Sequence, residues 1–116
     1  MRESEIEKIL VNEVKGLGGR AYKWVSPGND GVPDRIVIFP NRHPVFVELK
    51  TDRGKLSELQ KIQCKKLIDL GQHVEVVHGL SGLAFFFKCE GFPEAAERIE
   101  KRMKKENGGG DSKWKR

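Results

Sequence analysis

An α/β fold, a mixed sheet flanked by helices, follows from three features of the chain. Residues 4–17 repeat apolar side chains at helical spacing (Ile6, Leu10, Val14, Leu17) and stop at Gly18-Gly19. Three short runs rich in β-branched and aromatic residues come next, 20–26, 35–39 and 45–50, with turn-forming residues between them. A second helical stretch, 57–70, then leads into the alternating His73-Val-Glu-Val-Val-His78. A strand reached through a helix packs parallel to the strand before it by a right-handed crossover. The expected order is therefore helix, three-stranded antiparallel meander, helix, fourth strand and terminal helices.

Each element has its own local signal. Ser4 and Glu7 have the form of a capping box for the first helix. Arg20–Ser26 is aromatic and β-branched, and Pro27-Gly28-Asn29-Asp30-Gly31 is a flexible turn. Pro40 to Pro44 closes the hairpin between the second and third strands. Ser57 is a candidate N-cap, with Gln60, Cys64, Leu67 and Ile68 on one face of the helix that Gly71 ends. Leu80–Lys88 reads as a short helix whose Phe85-Phe86-Phe87 cannot all face one core, so at least one ring lies at the surface. Glu94–Glu106 is a charged, added C-terminal helix, and 107–116 a flexible basic tail.

Composition narrows the functional classes. At 116 residues, with 37% hydrophobic and 34% charged side chains, the chain supports one globular domain of about residues 1–90 followed by the helix and tail. No apolar run is long enough to span a bilayer and no signal-peptide pattern is present, so a cytoplasmic protein without membrane contact is expected. Cys64 and Cys89 are expected to be free, buried thiols. His43, His73 and His78 lack metal-ligand spacing. The seven Lys and Arg of residues 101–116, against Glu106 and Asp111, carry the whole net charge of +5. The rest of the chain must bind any polyanion through local patches.

The chemistry concentrates in Val32-Pro33-Asp34 and Val47-Glu48-Leu49-Lys50. If Phe39 pairs with Val45, Ile36 lies opposite Glu48 and Asp34 opposite Lys50. Strand alternation then brings Asp34, Glu48 and Lys50 to one face, with the carboxylates diagonal neighbours about 7–8 Å apart. Two carboxylates at that separation can share a divalent cation. A structural ion pair between Lys50 and either acid is the simpler alternative, but all three residues on otherwise apolar strands are costly to bury unless paired or metal-bound.

Gly31-Val32-Pro33-Asp34, Val47-Glu48-Leu49-Lys50, Gly54-Lys55-Leu56-Ser57 and Gln60 together resemble the PD-(D/E)XK nuclease superfamily. Within it, the stretch from Arg2 to Phe87 is similar to the VRR-NUC (virus-type replication–repair nuclease) domain. The resemblance implies a restriction-endonuclease-like core and metal-dependent hydrolysis of DNA. Asp34, Glu48 and the carbonyl of Leu49 would ligate Mg²⁺ or Mn²⁺, hard cations that prefer oxygen donors. It further implies a catalytic role for Lys50, an outer carboxylate at Glu3 (with Glu7 as substitute) and a site glutamine at Gln60. Without the resemblance, Glu3 reads as a dipole-compensating surface acid and Gln60 as a residue bonded to backbone.

Candidate DNA contacts are Lys23, Ser26, Arg35, Arg53 and Lys55, Ser26 because the similar archaeal Holliday-junction resolvases carry a serine in a comparable loop. The likeness to those resolvases points to branched DNA cut by a homodimer, with duplex DNA as the other substrate. An idle nucleic-acid-binding module and an assembly protein of replication or repair are the competing classes, and cleavage titrated against Mg²⁺ and EDTA separates them from an enzyme.

Overall fold

The computed structural model describes residues 1–114, with side chains through Glu106. The elements are α1 (Glu3–Gly16), β1 (Arg20–Lys23), β2 (Arg35–Ile38), β3 (Val45–Lys50), α2 (Glu58–Asp69), β4 (His73–His78), α3 (Gly79–Cys89) and α4 (Pro93–Trp114). They form two compact units, the α/β unit Met1–Gly79 and a helical unit from Leu80 onward, so the strand-rich unit ends before residue 90. Among the described residues no helix is long and apolar enough to cross a membrane.

The sheet has the order β1-β2-β3-β4, antiparallel through β3 and parallel between β3 and β4. One face is made by alternate residues: Ala21, Val37, Val45, Val47 and Leu49 are all buried. Ile6, Ile9, Leu10 and Val14 of α1 are buried with them, and this is the core of the unit. At about 25 cal/mol per Å² of apolar area removed from water, such a layer dominates the stability of so small a unit.

The hairpin register differs from the expected one by two residues. Arg35 pairs with Val47, Ile36 with Phe46 and Val37 with Val45. The cause is Phe39, which leaves the ladder and is 1% exposed, with the Arg42 guanidinium 5.6 Å from its ring centre. Asn41 completes the wider turn with a φ of 59°. A slip of one residue would have turned every side chain to the opposite face; a slip of two preserves the faces. Asp34 and Glu48 thus stay on one side, and continuing the register makes them direct rather than diagonal neighbours.

Several boundaries also move. β1 ends at Lys23, although Trp24 still donates its N–H to the Asp34 carbonyl at 3.0 Å. The cap of α1 is shifted two residues from the Ser4–Glu7 box: the Arg2 N–H is bonded by Glu5, 3.3 Å away, and an arginine side chain has no acceptor to complete the box. In α2 only Cys64 is buried, and Ile68, expected to face the core, is 56% exposed. Cys89 is exposed, not buried. In the helical unit Phe86 and Phe87 are buried and Phe85 exposed, as the triplet required. The flexible-tail expectation falls on 107–116, whose side chains, with all of 115–116, lie outside the described residues; the α4 backbone is helical to Trp114.

Gly31 fixes how the loop before β2 meets α2. Its φ is +92°, and a Cβ there would lie 2.7 Å from the Leu59 carbonyl oxygen. Gly28, at φ +80°, faces open space. Gly28→Ala should therefore cost only the left-handed backbone strain, about 1 kcal/mol. Gly31→Ala should cost about 2–3 kcal/mol, because the first turn of α2 must also shift. Equal denaturation midpoints for the two variants would show that this contact does not position α2.

Candidate functional site: a buried carboxylate at the centre of the sheet

Asp34 enters β2 from the loop that Gly31 pins against α2, and Glu48 lies near the C-terminal end of β3, a central strand. Their arrangement is set by backbone as much as by side chains. An oxygen of Asp34 accepts the Leu49 N–H at 2.9 Å. The N–H and C=O of one extended residue point to the same side of its strand, so the Leu49 carbonyl also faces Asp34. Asp34, Glu48 and this carbonyl form an all-oxygen donor group.

Glu48 is 1% exposed, the one charged residue in the core among the described residues. Its Oε2 accepts a hydrogen bond from Gln60 Nε2 at 2.8 Å and lies 3.6 Å from Lys50 Nζ. Its Oε1 is buried with no hydrogen-bond partner. Burial, and then the negative charge of Asp34, push the Glu48 carboxyl up to about 7, with Glu3 adding a smaller repulsion and Lys50 opposing them. A buried acceptor left in this state is costly unless something positive meets it.

The orientation of Gln60 is fixed by the start of α2. Ser57 Oγ accepts the Gln60 N–H at 3.1 Å, and Gln60 Oε1 accepts the Ser57 N–H at 2.9 Å. This capping box consumes the amide oxygen and turns the amide nitrogen toward Glu48. Gln60 therefore bonds both to the backbone at the helix start and to the Glu48 carboxylate.

The remaining expected residues divide. Glu3, the first residue of α1, is exposed and near enough for its charge to act on Glu48. Among the described residues no three His, Cys, Asp or Glu side chains group closely enough to hold a metal by themselves. Glu7 is engaged elsewhere, receiving Arg35 Nε at 2.8 Å. Arg35 also donates to the Ala21 carbonyl at 3.0 Å. It faces α1, on the side of the sheet away from Glu48, and both of these contacts lie within the unit. Lys23 alternates to that same side at the exposed edge strand. Ser26 Oγ accepts from Asn29 Nδ2 at 2.9 Å, which closes the turn. Arg53 and Lys55 are exposed on the loop that follows β3.

The chain belongs to the VRR-NUC nuclease family: the VRR-NUC domain model matches residues 20–81, more than half of it. A phage protein named "Putative nuclease p44", of Acyrthosiphon pisum secondary endosymbiont phage 1, is 48% identical over 77 residues, spanning 66% of this chain and 83% of the relative. A solved structure named "VRR_NUC domain" superposes with a TM-score of 0.64 at 26% identity, covering 84% of this chain and 94% of the other. The mixed four-stranded sheet flanked by helices is thus the fold of the family, and the protein is a nuclease.

The sequence missed one feature of this face. Trp24 and Phe46 pack with ring centres 5.3 Å apart, and Arg20 lies over the Tyr22 ring at 5.7 Å. The signal was present in the alternation Arg20, Tyr22, Trp24, which puts all three on the side that carries Asp34 and Glu48.

The raised Glu48 value fixes a pH dependence for the metal-free protein. A buried carboxyl favours its protonated form, so its contribution to stability is intact below its ordinary value of 4.5. It declines as pH rises, and the loss is complete above about 7. Glu48→Gln cannot ionise. In EDTA at pH 8 this variant should be more stable than the parent by up to about 3 kcal/mol, with the gap closing toward pH 4.5. Denaturant titrations at the two pH values check it, and a parent protein as stable as the variant at pH 8 would contradict it.

Proposed function

We propose that this nuclease hydrolyses DNA phosphodiester bonds with Mg²⁺ or Mn²⁺ held by Asp34, Glu48 and the Leu49 carbonyl. The observation that carries the reading is the partnerless, buried Oε1 of Glu48 beside Asp34. The donor set fits: Mg²⁺ typically takes one or two carboxylates and completes its shell with water and substrate oxygens. When bound, the cation supplies a water of lowered pKa and offsets charge developing on the phosphorus.

The protein's own groups do the rest. Asp34, anchored by the Leu49 N–H, and Glu48, anchored by Gln60, hold their oxygens in fixed positions, so little reorganisation accompanies the reaction. Lys50 Nζ lies 3.6 Å from Glu48, where it would orient a water or offset charge on a phosphate oxygen. Glu3 adds negative charge at the rim, and Arg53 and Lys55 offer cations to the DNA backbone. The resemblance of the sequence motifs to those of Holliday-junction resolvases and the small size of the unit favour branched DNA cut by a homodimer. The phage relative favours action in the cytoplasm of a phage-infected cell. An intact Asp34–Glu48–Lys50 group favours an enzyme over an idle binding module.

Asp34→Ala and Glu48→Ala should each lower Mg²⁺-dependent cleavage about a thousandfold or more, and EDTA should abolish it. Lys50→Ala should reduce turnover about a hundredfold while calorimetric Mn²⁺ affinity changes less than about threefold, since an ammonium is not a ligand. The decisive comparison sets four-way junction, flap, duplex and single-stranded DNA side by side at one salt concentration. Near-parental cleavage by either carboxylate variant would overturn the metal reading, and equal rates on all four substrates would overturn the branched-DNA preference.

A further inference from the structure

The side of the sheet that carries Asp34 and Glu48 is only half covered. Toward β3 and β4, α2 overlies it through Gln60. Toward β1 and β2 it lies open: Tyr22 is 50% exposed and its neighbour Ile38 37%. The registers Arg20 with Ile38, Tyr22 with Ile36, and Ile36 with Phe46 place these side chains on one surface. Trp24, its ring tilted against that of Phe46, continues it to the site, because its N–H is bonded to the carbonyl of Asp34 itself.

From Trp24 to Arg20 the strand spans about 13 Å, at about 3.3 Å per residue. This distance holds Trp24, then Tyr22, then a guanidinium lying over the tyrosine ring. Flat aromatic and guanidinium surfaces on an open sheet are partners for the faces of unpaired bases, and a sheet of this size stacks two or three of them. A continuous duplex hides those faces. The neighbouring edge also favours a polyanion: a concavity of about 390 Å³ between α1 and β1, beside Arg20, is lined by Lys15, Arg20 and Lys23 and by no carboxylate. Arg20 and Lys23, on the edge strand itself, repel a second copy pairing there.

We infer that Tyr22, Arg20 and the Trp24–Phe46 pair form a stacking surface for unpaired DNA bases adjoining the phosphate held at Asp34 and Glu48. This inference rests on the proposed nuclease reading and specifies the substrate feature that the site selects: nucleotides already released from pairing, as at a junction or flap.

The test uses the full chain and its Tyr22→Ala, Tyr22→Phe and Arg20→Ala variants. Affinities for flap, single-stranded and duplex DNA are measured by anisotropy in EDTA, with 2-aminopurine placed in the unpaired segment. Tyr22→Ala should weaken flap and single-stranded binding about tenfold, change duplex binding less than twofold and abolish the stacking quench of 2-aminopurine. Tyr22→Phe, which keeps the ring, should restore all three. Arg20→Ala should also flatten the salt dependence on single strands by about 0.7 in log–log slope. Equal losses on duplex and single strand, or no loss on either, would overturn the inference. So would sedimentation showing that Tyr22→Ala dissociates a dimer, which would make this face a contact between copies. Parental cleavage with Mg²⁺ in the same assay separates the two layers. If the parent cuts DNA and the variants bind as it does, only the stacking surface fails; if the parent cuts no DNA, the functional reading fails with it.

Discussion

The structure is organised around one unfavourable placement, a glutamate carboxylate buried at the end of a central strand. Glu48 gains one amide hydrogen bond and one distant ammonium, and one of its oxygens is buried without a hydrogen bond. Other features of the unit are arranged to hold that carboxylate in place. Gln60 reaches it only because Ser57 takes the other half of its amide, and the loop carrying Asp34 meets the first turn of α2 only because residue 31 has no side chain. A neutral isostere would serve the metal-free fold better, so the acid's presence speaks for a positively charged occupant.

The two faces of the sheet divide the work. The face toward α1 buries most of the hydrocarbon and supplies stability, and the ion pair of Arg35 with Glu7 ties the helix to the strand that carries Asp34. The opposite face carries the proposed chemistry. Lining it with carboxylates, an ammonium and half-exposed rings forfeits burial that a purely structural sheet would have used. α2 follows the same pattern: it buries only Cys64, and its link to the sheet at the site is polar.

Much of this was legible in the sequence, for physical reasons that differ by element. The strands and their faces were legible because alternation has a period of two and survives boundary errors. The clustering of Asp34 with Glu48 was therefore right even though the register was off by two. The register itself was not legible, because it turns on whether Phe39 pairs or packs, a tertiary choice. The pairing of Arg35 with Glu7 was not legible, because Glu7 lies 28 residues away on another element. Gln60 was legible as a polar residue in need of a partner, though not as one bonded at both ends. Ile68 was misplaced because α2 presents almost none of its apolar side chains to the core.

The central claim is that Glu48 is buried as an anion for the sake of a cation. Thermal unfolding with and without Mn²⁺ tests it most directly, comparing the parent with Glu48→Gln at pH 8. Binding to the native state alone raises stability by an amount that grows with metal concentration. The account predicts a melting temperature that climbs with Mn²⁺ for the parent and is indifferent to it for Glu48→Gln, although that variant is the more stable of the two in EDTA. An equal rise in both proteins would place the metal elsewhere and contradict the account.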